Sequence, residues 1–160
     1  MKTEMKYRCL TDDELKLLAD DLKHFLIVNG VHAEEWEHMN KVNPSKAIQL
    51  VELFSDTVLD KVYSKIEYLE HRSPEACLVF HFNEAKIELI SIQGKQDTFV
   101  DLSTPENIHE ALAKQADQLS FFKTEKHYTK ERNSEIHQMI VQGCFISTKD
   151  FWDALIIATA

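Results

Sequence analysis

The chain has 160 residues, 44% of them hydrophobic and 28% charged, with a formal net charge of −9. That length suits a single globular domain whose core needs neither disulfide nor structural metal, and the acidic balance disfavours phosphate backbones and anionic membranes, so nucleic acid is not an expected partner. Cys9, Cys77 and Cys144 form no Cys-x-x-Cys pair, no apolar leader opens the sequence, and no run approaches the roughly 18 apolar residues of a membrane span, which together lead to an expectation of reduced thiols in a cytoplasmic protein.

The first predicted helix spans 11–29. Thr11 and Glu14 have the spacing of a capping box, and Asn29-Gly30 provides a stop. Leu15, Leu18, Leu22, Phe25 and Leu26 share a face, opposite Asp13, Lys16, Asp20 and Lys23, the pattern of a helix packed on one side. A short helical turn follows at 33–40. A long helix is then expected from Pro44 to Glu70, with Asn43 as cap and the proline at the first helical position, where its missing N–H costs nothing.

The apolar residues of that long helix include Ile48, Val51, Phe54, Val58, Val62, Ile66 and Leu69, widened by Leu50, Leu59 and Tyr63. They cover about half the circumference, where a one-sided helix needs about 100°. Two arrangements satisfy this. The excess can form a homodimer interface through 44–70, or the helix can lie centrally in its own core, with Leu59 and Tyr63 at the margin of the arc.

The stretch "EYLEHRSPEACLVFHF" (67–82) closes the helix in this reading. His71 and Arg72 would neutralise the last carbonyls, and Ser73-Pro74 would stop the chain from continuing as α. "CLVFHF" alternates, with Leu78, Phe80 and Phe82 on one face and Cys77, Val79 and His81 on the other; "NEA" then leads into "KIELISIQ". Two such runs so closely joined predict a hairpin of 77–82 with 86–93. "TFVDL" is a candidate third strand. Thr104-Pro105-Glu106 opens another helix carrying Ile108, Leu112 and Leu119, "SFFKTEKHYTKER" is open between strand and loop, 134–142 reads as a helix ended at Gly143, and Thr148 caps a last helix carrying Phe151, Trp152, Leu155 and Ile156. The expected class is α+β, a small antiparallel sheet packed by amphipathic helices.

Three glycines leave no room for GxGxxG, GxxxxGK[ST] or GxSxG, so neither a nucleotide nor another cofactor is expected. Glu35-x-x-His38 and Glu106-x-x-His109 match the paired Glu-x-x-His of di-iron bundles, but among eight histidines about one match arises by accident. His32, Glu35 and His38 are the residues a small transition-metal site would use; solvated surface histidines are the preferred reading, with no metal. Glu67, Glu70, His71, Arg72 and His81 are the candidates for acid–base chemistry at the 67–81 corner. Against this stands a plain helix end, with Arg72 in an exposed ion pair worth at most about 1 kcal/mol. His81, inside an apolar strand, needs a partner if buried. Cys144 in "QGCFIS" reads as a structural thiol, and the aromatic and basic residues of 121–132 as a solvated strand or loop diluted by Glu125 and Glu131.

"FLIVNG", "ELFSD", "YLEHRS" and "QGCFIS" resemble stretches of a family of small uncharacterised bacterial proteins, a domain of unknown function, from Met5 to the C-terminus. The resemblance implies a single-domain cytosolic protein and transfers no site. Two functions are therefore carried forward: a non-catalytic interaction or regulatory module that self-associates or meets another protein, and a small enzyme or ligand binder built on 67–81. A concave pocket holding His71 and His81 would favour the second, a flat apolar face the first.

Overall fold

The computed structural model describes residues 5–159. The fold is α+β, with seven α-helices and one five-stranded antiparallel sheet among those residues. Contacts gather the chain into two compact units, Met1–Val62 and Tyr63–Ala160.

The first unit is helical: α1 (Asp12–Leu17), α2 (Ala19–Val28), α3 (Ala33–Val42) and all but the last turn of α4 (Pro44–Lys65). The capping box forms as its spacing demands. Glu14 N–H donates to the Thr11 hydroxyl at 3.2 Å, and Thr11 N–H donates to the Glu14 carboxylate at 2.9 Å. The Arg8 guanidinium grips the same carboxylate through two nitrogens, at 2.8 and 3.1 Å, and with the Thr11 amide holds its pKa down to about 2. The one helix expected over 11–29 is two, broken at Leu18 (φ −107°, ψ 22°); no glycine or proline marks the break. Beyond it the Phe25 ring packs 5.4 Å from that of Phe54 on α4. The N-terminal segment is fastened to α4 by polar bonds: Lys6 and Tyr7 amides donate to the Asp56 carboxylate, and Leu10 N–H to the buried Ser55 hydroxyl.

The second unit is built on β1 (Tyr68–Arg72), β2 (Ala76–Phe82), β3 (Lys86–Gly94), β4 (Leu119–His127) and β5 (Phe145–Ile146), in spatial order β4-β3-β2-β1-β5. The predicted hairpin is present as β2–β3, and Asn83 shapes its turn by accepting from Lys86 N–H at 2.9 Å. The alternation in "CLVFHF" is also as expected: Cys77 and Val79 are buried on one face and Phe82 on the other. Both faces of the sheet are covered. On the first, Tyr68, Cys77, Val79, Ile90 and Ile92 share a core with Ile108 and Ala111 of α5 (Pro105–Lys114) and Trp152 and Leu155 of α7 (Lys149–Ala158). On the second, Leu69, Phe82 and Ile87 are buried, as is Ile136 of α6 (Arg132–Val141).

The long helix stops at Lys65, not Glu70, and Tyr68–Arg72 is a strand paired residue for residue with β2, from Tyr68↔His81 to Arg72↔Cys77. Ser73-Pro74 is thus the turn of a second hairpin rather than a helix end, with Ser73 N–H donating to Ala76 O. The cation that closes α4 is not Arg72. Arg132, from α6, donates to the carbonyls of Tyr63 (3.1 Å), Ile66 and Phe82 (3.3 Å), adding a second donor to Tyr63 O, which also accepts from Ile66 N–H, and a partner for the carbonyl just past the helix end. "TFVDL" forms no strand; it follows a turn with Asp97 at φ 64° and sends Leu102 into the core. "SFFKTEKH" resolves as β4, and Phe145–Ile146 adds the short β5 beside β1.

Candidate functional site

Pleating places β1 residues alternately on the two faces, so the expected corner converges only in part: His81 shares the face of Glu70 and Arg72. Glu70 and Arg72 lie on the α5/α7 face and His71 on the opposite one. Glu67 is exposed. His81 pairs with Tyr68, stacks on its ring at 4.6 Å, packs 5.4 Å from Trp152 and sits 3.5 Å from Glu88. The partner a strand histidine needs is therefore an aromatic and a carboxylate, a packing role.

What does form is a cleft of about 580 Å³ in the second unit, walled by one stripe from each of two helices. Pro105, Ile108, His109, Leu112 and Ala113 recur at helical spacing along α5; Phe151, Ala154 and Ala158 do so along α7, with Thr148 and Asp150 at its start. Glu70 of β1 also lines it. The cleft is thus mainly apolar, with carboxylates from Glu70 and Asp150 and an exposed imidazole from His109.

Glu70 is the unusual residue here. Its side chain is 11% exposed and that of Arg72 16%, and Arg72 donates to Glu70 Oε2 at 3.1 Å. The guanidinium also lies 4.8 Å from the centre of the Phe145 ring, a cation–π contact that offsets part of its desolvation. Its buried Nε–H has no acceptor among the described residues. A shielded ion pair, not an exposed one, therefore stands at the former corner. Arg72 takes one carboxylate oxygen, and a carboxylate accepts at both, which leaves Glu70 able to receive a further donor.

The other candidates remain scattered. His32, Glu35 and His38 are exposed around the start of α3, Glu106 and His109 are exposed on α5, and no group of three or more His, Cys, Asp or Glu among the described residues could hold a metal ion. His137 Nδ1 is 2.7 Å from the Tyr63 hydroxyl. Cys77 is fully buried and its pKa is pushed up to about 12 by that burial, while burial also raises Cys144. Ellman's reagent should therefore modify the exposed Cys9 first, Cys144 slowly, and Cys77 only after unfolding. Fast modification of Cys77 in the native protein would contradict this packing.

Sequence reading missed His109, Asp150 and Phe151 as cleft residues. A signal existed: "STPENI" and "STKDFW" open α5 and α7 alike. Thr104 accepts from Asn107 N–H and Thr148 from Phe151 N–H, both at 3.1 Å, and Ile108 and Trp152 are buried at the same helical position.

In class, this is an α+β protein with an antiparallel sheet and a helix-walled apolar cleft over a shielded carboxylate. The profile of a family of unknown function, DUF6495, matches residues 5–159, and the chain belongs to that family. No curated protein and no solved structure matches it. No helix among the described residues is long and apolar enough to cross a membrane.

Proposed function

We propose that this chain is a non-catalytic binding module whose α5/α7 cleft takes a compact apolar ligand carrying a hydrogen-bond donor or a positive charge. The observation that carries the reading is Glu70, a shielded carboxylate lining an otherwise apolar cleft. About 580 Å³ falls within the common range of small-molecule sites, which pair apolar walls with a few polar groups that fix orientation. Glu70 is already paired with Arg72, so it offers a free acceptor oxygen rather than a net charge; with the Asp150 carboxylate this favours a hydrogen-bond donor or cationic group over an anion. Glu70, Arg72 and His81 share the α5/α7 face, but His71 faces the other way, Glu67 is exposed, and neither His71 nor His81 lines the cleft, which argues against acid–base catalysis by this set on one substrate.

N-phenyl-1-naphthylamine, an apolar amine with one N–H donor, is a suitable probe. Its fluorescence should rise saturably with one equivalent bound. Ala154→Trp, at an exposed cleft position, should abolish that rise while leaving the melting temperature unchanged. Unchanged binding by Ala154→Trp would place the probe elsewhere and remove the support for this reading.

A further inference from the structure

We propose that a second copy of this chain docks on the outer edge of β4, joining the two sheets across a two-fold axis at Thr124. This surface is separate from the cleft and does not depend on it. β4 ends the sheet order, so one side of a nine-residue strand carries no strand partner among the described residues. Ser120 and every residue from Phe122 to His127 is exposed, Phe122 at 61%. Natural edges are usually short, bulged, interrupted by proline, charged or covered; of these devices this strand has the charges, at Lys123, Glu125 and Lys126. Here pairing with β3 proceeds one for one from Lys86↔His127 to Gly94↔Leu119, without a bulge, and the strand contains no proline.

Charge selects both the occupant and the register. Antiparallel self-pairing in one continuous sheet sets residues of the same face opposite each other, so the axis must pass through a residue. Centring it on Lys123, Glu125 or Lys126 would put like charges directly opposite; centring it on Phe122 would pair no charges. Centred on Thr124, Lys123 of each copy meets Glu125 of the other, and Phe122 meets Lys126, twice each by symmetry. Opposite charges and threonine pairs are favourable cross-strand neighbours. Glu125 has a further reason to attract a cation, because it stands directly opposite Glu88 within its own chain and is answered there by Lys86 at 2.6 Å.

Self-association through α4 has less to work with. Leu59 and Tyr63 are buried. Its exposed large apolar residues are Ile48, Leu53 and Val62; at 3.6 residues per turn Ile48 and Val62 lie about 40° apart on one face but nearly four turns from each other, with Leu53 about 140–180° away, so the exposed apolar positions are sparse.

The test uses two charge reversals at exposed positions of the full chain. Lys123→Glu alone would oppose Glu to Glu, and Glu125→Lys alone would oppose Lys to Lys, so each should weaken self-association by about tenfold or more. An equimolar mixture restores both pairs in a heterodimer. Sedimentation velocity at tens of micromolar should show dimer for the wild type, monomer for each variant alone, and dimer for the mixture. Independently, Thr124→Cys in a Cys9→Ser background should oxidise to a covalent dimer that the background lacks, since opposed antiparallel residues stand within disulfide reach. A monomeric wild type, a dimer that survives either reversal, or a mixture that stays monomeric would each overturn the proposal.

Discussion

Arg132→Ala should destabilise the protein by about 4 kcal/mol, far more than removal of an ordinary surface cation, which lies within about 0.5 kcal/mol. One guanidinium donates to the carbonyls of Tyr63, Ile66 and Phe82 and to the Asn133 side chain. Two of those carbonyls belong to the end of α4 and its exit, and the third to the end of β2, so this residue joins three elements within the second unit. Hydrogen bonds from a charged donor contribute about 1.5–3 kcal/mol each, and a carbonyl stranded without a partner adds a desolvation cost, although Tyr63 O keeps the Ile66 N–H. They do not sum independently, because one side chain makes them all. Lysine should recover little, since an ammonium cannot reproduce the planar fork. Urea unfolding measures this directly; a loss below about 1 kcal/mol would mean that water replaces the guanidinium at no cost.

The second large effect concerns the Glu70–Arg72 pair. Removing one partner of a shielded ion pair strands the other and costs about 3–5 kcal/mol, whereas replacing both by groups of similar shape is often neutral. With side chains 11% and 16% exposed, Arg72→Ala should cost about 3 kcal/mol and Glu70→Gln/Arg72→Met much less. A double-mutant cycle in urea isolates the coupling. A single-variant loss under about 1 kcal/mol would restore the exposed-pair value that the sequence alone suggested.

These two arginines also show where sequence reading succeeds and where it stops. Thr11, Thr104 and Thr148 were legible as caps because a cap is a local bond, three residues long, and the β2–β3 hairpin because its turn and both strands adjoin. β1 was not. Ile66, Tyr68 and Leu69 continue the apolar spacing of α4, and short apolar runs fit helix and strand equally well. What decides the matter is the partner strand, β2, together with Arg132, which arrives from 66 to 69 residues further along to bond the carbonyls of Tyr63 and Ile66. Misplacing β1 misplaced the site. On a helix, Glu67, Glu70 and His71 would share one face; on a strand, Glu70 and His71 point to opposite faces, and Glu70 alone reaches the cleft. The cleft walls were visible as two amphipathic helices, but no local pattern says that two helices on one sheet face leave a gap between them.

Amide chemical-shift mapping with N-phenyl-1-naphthylamine tests the binding reading most directly, because it reports location as well as affinity. A second groove, of about 480 Å³ and lined by Leu22, Leu26, Val31 and Trp36, lies in the first unit and could compete for the same probe. Binding in the α5/α7 cleft requires saturable shifts along Ile108, His109, Leu112, Phe151 and Ala154, and at Glu70, with Glu70→Gln weakening the titration. Shifts confined to the Trp36 groove, or none that saturate, would contradict it.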